Sequence, residues 1–137
     1  MACPYFFPIA RFEDRAWAVA PRLPLGDSYT GECRAQSSAI APEESRLRQH
    51  CNTGYGRGEC DRFPPESEAD AVRFHVSLQH VSLQQGTLLQ IQYIFEKSCW
   101  PARHGVLEYR DGIAETADAI LGRQATAFAE SYLRRCV

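Results

Sequence analysis

Four cysteines are the residues of this chain whose type and spacing could do chemistry. Cys3, Cys33, Cys51 and Cys60 are separated by 29, 17 and 8 residues and lie in polar, turn-rich sequence. The Tyr…Gly-Glu-Cys pattern that ends at Cys33 recurs at Cys60. Cysteine thiolates are the ligands of iron–sulfur clusters and of many structural zinc sites. We therefore predict that these four residues converge on one metal centre.

The spacing favours an iron–sulfur cluster over zinc. Structural zinc sites usually contain a tight Cys-x2–4-Cys knuckle, which this chain lacks. Ligand spacings of iron–sulfur proteins vary more widely, and hydrogen bonds to the sulfurs tune the cluster. The glycine-rich stretch Gly54–Gly58 is expected to aim backbone N–H groups at the sulfurs. The predicted cofactor is one [4Fe–4S] cluster; zinc is the alternative, and ordinary buried thiols are the third interpretation.

The remaining cysteines and histidines give no second site. Cys99 and Cys136 lack a polar, glycine-rich setting and are interpreted as structural or incidental thiols. His50 is expected to face solvent, because neighbours on a helix point about 100° apart and Cys51 points to the metal. His75 and His80 are five residues apart on a predicted strand, which would place them on opposite faces.

No catalytic residue is predicted. The chain has no Gly-x-Ser-x-Gly elbow, and no thiol has a histidine partner at a recognisable spacing. The three alternating glycines of Gly54–Gly58 neither follow a predicted strand nor precede the Lys-Ser/Thr of a phosphate-binding loop. An enzyme therefore ranks behind the two metal-binding interpretations.

Composition limits the environment and the partners. The 137 residues suit one domain, and the formal net charge of -2 predicts no bulk attraction to nucleic acid or anionic lipid. No targeting segment and no apolar run long enough for a membrane span is visible, so a cytoplasmic location without membrane insertion is expected. In that compartment the six cysteines are better explained as ligands and free thiols than as disulfides.

Residues 1–63 form the predicted metal-binding half of a single domain, 1–137. Residues 1–41 are expected to be irregular, with a turn at Gly26-Asp27-Ser28. A short helix is predicted from Pro42 to His50 or Cys51, where Asn52 and Gly54 supply stop signals. The proline-rich stretch 64–68 marks the boundary with the second half.

Residues 70–137 form the predicted sheet-and-helix half. Apolar and polar residues alternate over 72–78 and 89–95, and a shorter strand fits 106–110, with turns at 84–86 and 111–112. This pattern predicts a three-stranded antiparallel meander. Apolar residues at helical spacing predict a covering helix over 115–135. The fold class is therefore α+β.

Together these features predict a small soluble iron–sulfur protein. Its cluster would have a structural and docking role or an electron-transfer role, and a protein partner or larger complex is expected. A zinc-stabilised module for protein or nucleic-acid interaction is the alternative, although the acidic balance does not favour nucleic acid.

Overall fold

The architecture is α+β over the residues that the computed structural model describes, which are 2–11, 24–82 and 86–135. Cys136 and most of the predicted turn at 84–86 lie outside them. Within these ranges no helix is long and apolar enough to cross a bilayer. The strands are β1 Phe6–Arg11, β2 Tyr29–Cys33, β3 Ala71–Ser82, β4 Gly86–Lys97, β5 Trp100–Arg110 and β6 Ile113–Ala114; the helices are α1 Glu44–Arg46, a π-helical turn Leu47–Cys51 that continues it, and α2 Ala119–Arg135.

The larger sheet is an antiparallel meander in the order β3-β4-β5-β6. The predicted combination of an antiparallel sheet with a C-terminal helix is confirmed, but the number of three strands is wrong. The fourth strand, β6, forms because Asp111 and Gly112 both adopt positive φ values, 56° and 84°, and reverse the chain tightly. Residues Ile113 and Ala114 then pair with the end of β5.

A β-bulge in β3 changes which histidines share a face. Val76 pairs with Ile91, whereas Leu78 pairs with Gln90, so one extra residue is inserted in β3. The insertion reverses the alternation beyond it. His75 and His80 therefore lie on the same exposed face, and the prediction that they occupy opposite faces is wrong.

A second, two-stranded sheet lies in the region that was predicted to be irregular. β1 pairs antiparallel with β2, from Phe6 opposite Cys33 to Arg11 opposite Tyr29. A Cβ on Gly31 would come within 2.1 Å of the Phe7 carbonyl oxygen, so glycine permits this close pairing. Proline usually argues against a strand, and Pro8 opposite Gly31 conceals the pattern in the sequence.

Helix α2 packs against both sheets through a face of mostly small side chains. It begins at Ala119, four residues later than predicted, because the Asp118 carboxylate caps it by accepting a hydrogen bond from Leu121 N at 3.1 Å. Two polar side chains of α2 contact β1: the fully buried Gln124 donates to Phe6 O, and Arg123 donates to Pro8 O and Ile9 O. The core joins both halves of the chain: Ala2, Phe6, Leu25, Tyr29, Leu47, Cys51, Val72, Leu89, Ile91, Phe95, Leu107, Tyr109, Leu121, Ala125, Ala127 and Ala129 are among its buried residues.

The buried hydroxyl of Tyr29 connects β2 to α2 and allows a stability test. It donates to Ala127 O at 2.9 Å and lies 2.6 Å from Ser131 Oγ. Tyr29→Phe should lower the free energy of unfolding by about 1–2 kcal/mol, because buried acceptors lose their donor. Urea denaturation measures this change. The matched variant Tyr132→Phe, whose hydroxyl donates to the exposed Gln79, should change stability by less than about 0.5 kcal/mol; equal losses would contradict the assignment.

Candidate metal centre

The four predicted cysteine ligands line one small cavity. Cys3 precedes β1, Cys33 ends β2, Cys51 ends the π-helical turn, and Cys60 lies in the loop before β3. Cys33 and Cys51 are buried, and Cys3 and Cys60 are partly buried. The space between the lining side chains is about 20 Å³. The other lining residues are Tyr5, Phe6, Ala35, Arg46, His50, Gly56, Arg62 and Phe63.

The thiols lie close enough to influence one another's ionisation. Burial raises the pKa of Cys3 to about 12, and negative charge on Cys33 and Cys60 contributes to that rise. Burial likewise raises the pKa of Cys51 to about 12, and the other three thiols contribute to that rise. As free thiols Cys3 and Cys51 therefore stay protonated near neutral pH. A bound cation could replace those protons, since metal ligation requires deprotonated thiols.

Backbone contacts on both sides fix the position of Cys3. Ala2 forms a bridge to Val72, with two hydrogen bonds of 2.8 Å, and Cys3 N donates to Cys51 O at 3.1 Å. The Gln124 side chain donates to Cys3 O and to Phe6 O at 2.8 and 2.7 Å. The backbone N–H groups of Tyr5 and Phe6 act on the Cys3 sulfur and lower its pKa in opposition to burial. Phe6 N also donates to Cys3 O at 3.1 Å.

Cys33 receives a hydrogen bond to its sulfur from an arginine. Two backbone hydrogen bonds with Ile40, 2.7 and 3.2 Å long, hold the end of β2. Arg62 Nε lies 3.5 Å from Cys33 Sγ and donates to it, while Arg62 NH2 donates to Ser38 O at 3.1 Å. This contact is not predictable from the sequence, because no local pattern links residue 62 to residue 33.

A π-helical turn and a buried asparagine position Cys51. Asn52 N donates to Leu47 O at 3.1 Å, which is the i→i+5 bond of a π-helix. The Asn52 side chain accepts from Tyr29 N at 2.9 Å and donates to Tyr29 O and Leu47 O, each at 3.0 Å. The sequence indicated a helix that ends near Cys51, and this is confirmed. Asn52 was predicted only as a stop signal for this helix. Its hydrogen bonds to Tyr29 in β2 were not predicted.

The glycine-rich loop brings Cys60 back to Cys51, but by other means than predicted. Its Gly54, Tyr55 and Gly58 adopt positive φ values of 78°, 58° and 83°. Gly56 passes so close that an added Cβ would lie 3.1 Å from Cys60 Cβ. The backbone N–H groups of Gly54, Tyr55, Glu59 and Cys60 donate to backbone carbonyls. Gly54 and Tyr55 therefore do not direct their N–H groups at the sulfurs as expected, whereas Arg62 donates to Cys33 Sγ.

Arg57 anchors this loop to the sheet. Its guanidinium donates to the buried Asp70 carboxylate at 2.5 Å, and to Pro65 O and Ser67 O at 2.7 Å. Burial raises the pKa of Asp70, but the Ser98 N–H and Arg57 outweigh it, so the net pKa lies below the ordinary value. The loop that carries Cys60 is thus fixed to β3 by a charged, hydrogen-bonded contact.

His50 lies beside the cysteines rather than in solvent. Its side chain is 14% exposed, and it lines the cavity between Arg46 and Gly56. The prediction of a solvent-facing His50 is wrong because it assumed α-helical geometry, whereas residues 47–51 form the wider π-helical turn. Nε2 lies 3.8 Å from Glu59 Oε2, and the buried Nδ1 has no hydrogen-bond partner among the described residues.

The positive charge around the cavity comes from two arginines. Arg46 lowers the pKa of Cys51 and also pairs with Asp61 at 2.9 Å. Arg62 contacts the sulfur of Cys33 directly. On the wall, the rings of Tyr5 and Phe63 pack edge to face with centroids 5.6 Å apart. The cavity is therefore lined by four thiols, two guanidinium groups and the aromatic rings of Tyr5 and Phe63.

Cys99 does not line this cavity, and the four thiols do not form a coordination shell for a metal ion. Cys99 is exposed in the turn between β4 and β5, with φ 67°. Within 2–11, 24–82 and 86–135, no group of three or more His, Cys, Asp or Glu side chains is arranged to hold a metal ion.

Compared with known proteins, the chain matches no protein-family model, no curated protein and no solved structure.

Proposed function

We propose that Cys3, Cys33, Cys51 and Cys60 bind one [4Fe–4S] cluster. The observation that carries the proposal is that four cysteines, spread over 58 residues and brought from four segments, line the same cavity. Four thiolates are the ligand set of such a cluster. The role is structural, joined to docking on a protein partner, or it is electron transfer.

The surroundings of the thiols support an anionic iron–sulfur centre. Hydrogen bonds to cluster sulfurs tune such a centre, and here Arg62 donates to Cys33 Sγ, while the backbone N–H groups of Tyr5 and Phe6 lower the pKa of Cys3. Two arginines offset the charge of four thiolates, which would otherwise be costly to bury. The wide spacing of the ligands in the chain agrees with this class better than with a zinc knuckle.

A structural zinc ion is the second candidate, and the size of the cavity favours it. About 20 Å³ is close to the space that one water molecule occupies. A single ion occupies less space than a cluster and therefore agrees better with this volume. Zinc would make the chain an interaction module with no redox chemistry of its own.

Metal analysis of protein purified without oxygen distinguishes the candidates. We expect a brown protein that contains about four iron and four sulfide per chain and absorbs near 400 nm as iron–sulfur proteins do. About one zinc per chain in a colourless protein would establish the alternative. Neither metal, after reconstitution with iron and sulfide and with zinc in parallel, would exclude both.

A further inference from the structure

Arg62 differs from the other arginine at the cavity because its charge is not matched by a carboxylate. Arg46 pairs with Asp61 at 2.9 Å. Among the described residues no ion pair includes Arg62, whose donors reach Cys33 Sγ and the carbonyl of Ser38. A guanidinium stays protonated at any working pH. A permanent positive charge is therefore directed at one candidate ligand.

This arrangement matters more to a centre that changes charge than to one that does not. A [4Fe–4S]2+ core with four thiolates carries a net charge of about −2, and uptake of one electron gives about −3. Adding negative charge in a buried site is unfavourable unless a nearby cation or hydrogen-bond donor compensates it. Arg62 supplies both a positive charge and a hydrogen-bond donor at the Cys33 sulfur. It therefore stabilises the reduced state more than the oxidised state.

We infer that this centre is a one-electron carrier and that Arg62 sets its reduction potential by donating to the Cys33 sulfur. The inference rests on the proposed cluster and decides between its structural and electron-transfer roles. The reaction is [4Fe–4S]2+ + e− → [4Fe–4S]+, with the electron supplied by a one-electron donor and returned to a one-electron acceptor. No bond is made or broken, and Arg62 keeps its proton throughout.

The test is an anaerobic redox titration of the cluster-loaded protein, with dithionite as reductant and the visible spectrum and electron paramagnetic resonance as readouts. The wild type should take up one electron reversibly. Arg62→Gln, which removes the charge and the donor, should lower the reduction equilibrium constant about tenfold, which is about 59 mV for a one-electron couple. Arg62→Lys keeps the charge but loses the planar donor, so its shift should be in the same direction and smaller.

Two controls keep the outcomes separate. Arg110→Gln removes an exposed arginine of β5 that does not line the cavity, and it should leave the midpoint unchanged. Iron and sulfide assays on every variant show whether the cluster is present. If the Arg62→Gln variant does not retain the cluster, the midpoint of the Arg62→Lys variant is compared with that of the wild type. A fully loaded wild type that cannot be reduced reversibly, or an Arg62 variant with the wild-type midpoint, overturns the inference. If the wild-type protein binds no iron, the result contradicts the proposed cluster and not the role of Arg62.

Discussion

Cys51→Ser should abolish the cluster, with iron falling from about four per chain to below about one. Serine has a harder and less acidic donor atom than a thiol, and Cys51 stands at the centre of the site, where the other three thiols raise its pKa. Its backbone also accepts the hydrogen bond from Cys3 N. Iron and sulfide assays together with the visible absorbance of anaerobically purified protein measure the loss.

The matched control for this experiment is Cys99→Ser, which removes an exposed thiol from the β4–β5 turn. It should retain the full iron and sulfide content and the wild-type spectrum. Cys3→Ser, Cys33→Ser and Cys60→Ser should each behave like Cys51→Ser. Retention of about four iron and four sulfide in any one of these variants would remove that residue from the ligand set.

Asn52→Ala should be the most destabilising substitution outside the cysteines, lowering the free energy of unfolding by about 3 kcal/mol. The Asn52 side chain is 1% exposed and makes three hydrogen bonds to the backbones of Tyr29 and Leu47. Alanine would leave those backbone groups buried without partners. Because Asn52 follows Cys51 directly, iron loading should fall as well. Urea denaturation and iron assays measure the two effects.

Thr53→Ala provides the comparison for Asn52. Its hydroxyl donates to Gln49 O at 2.7 Å on the exposed side of the same segment, so its loss should cost less than about 0.5 kcal/mol and leave iron unchanged. A loss below about 1 kcal/mol for Asn52→Ala would show that β2 and the π-helical turn hold together without this side chain.

The local periodicity of the sequence was enough to predict most of the larger sheet and α2. Alternation over residues 72–78 and 89–95 reflects burial of one face, and that relation is local along the chain. The bulge at Val76 was not predictable, because a single extra residue in β3 depends on pairing with β4. The pairing of β1 with β2 depends on contacts between distant residues, and Pro8 weakens its local signal.

The same distinction applies to the candidate centre. The four cysteines could be grouped from their types and surroundings, and the structure brings them to one cavity. The residues that support these cysteines could not be predicted, because the contacts are tertiary. Arg62 lies 29 residues from Cys33 in the sequence, and Gln124 lies 121 residues from Cys3. His50 was placed wrongly because its direction depends on helix type, which the sequence does not reveal.

The π-helical turn makes the number of residues before Cys51 as important as their identity. A π-helical bond spans five residues, whereas an α-helical bond spans four. Deleting Gln49 would make Asn52 the fourth residue after Leu47, so its N–H could still donate to Leu47 O in a regular α-helix and Cys51 would keep its direction. Inserting a residue between Leu47 and Cys51 has no such compensation, and it would turn Cys51 by about 100° away from Cys3, Cys33 and Cys60. Loss of one residue should therefore be tolerated within residues 47–51, whereas gain of one residue should not.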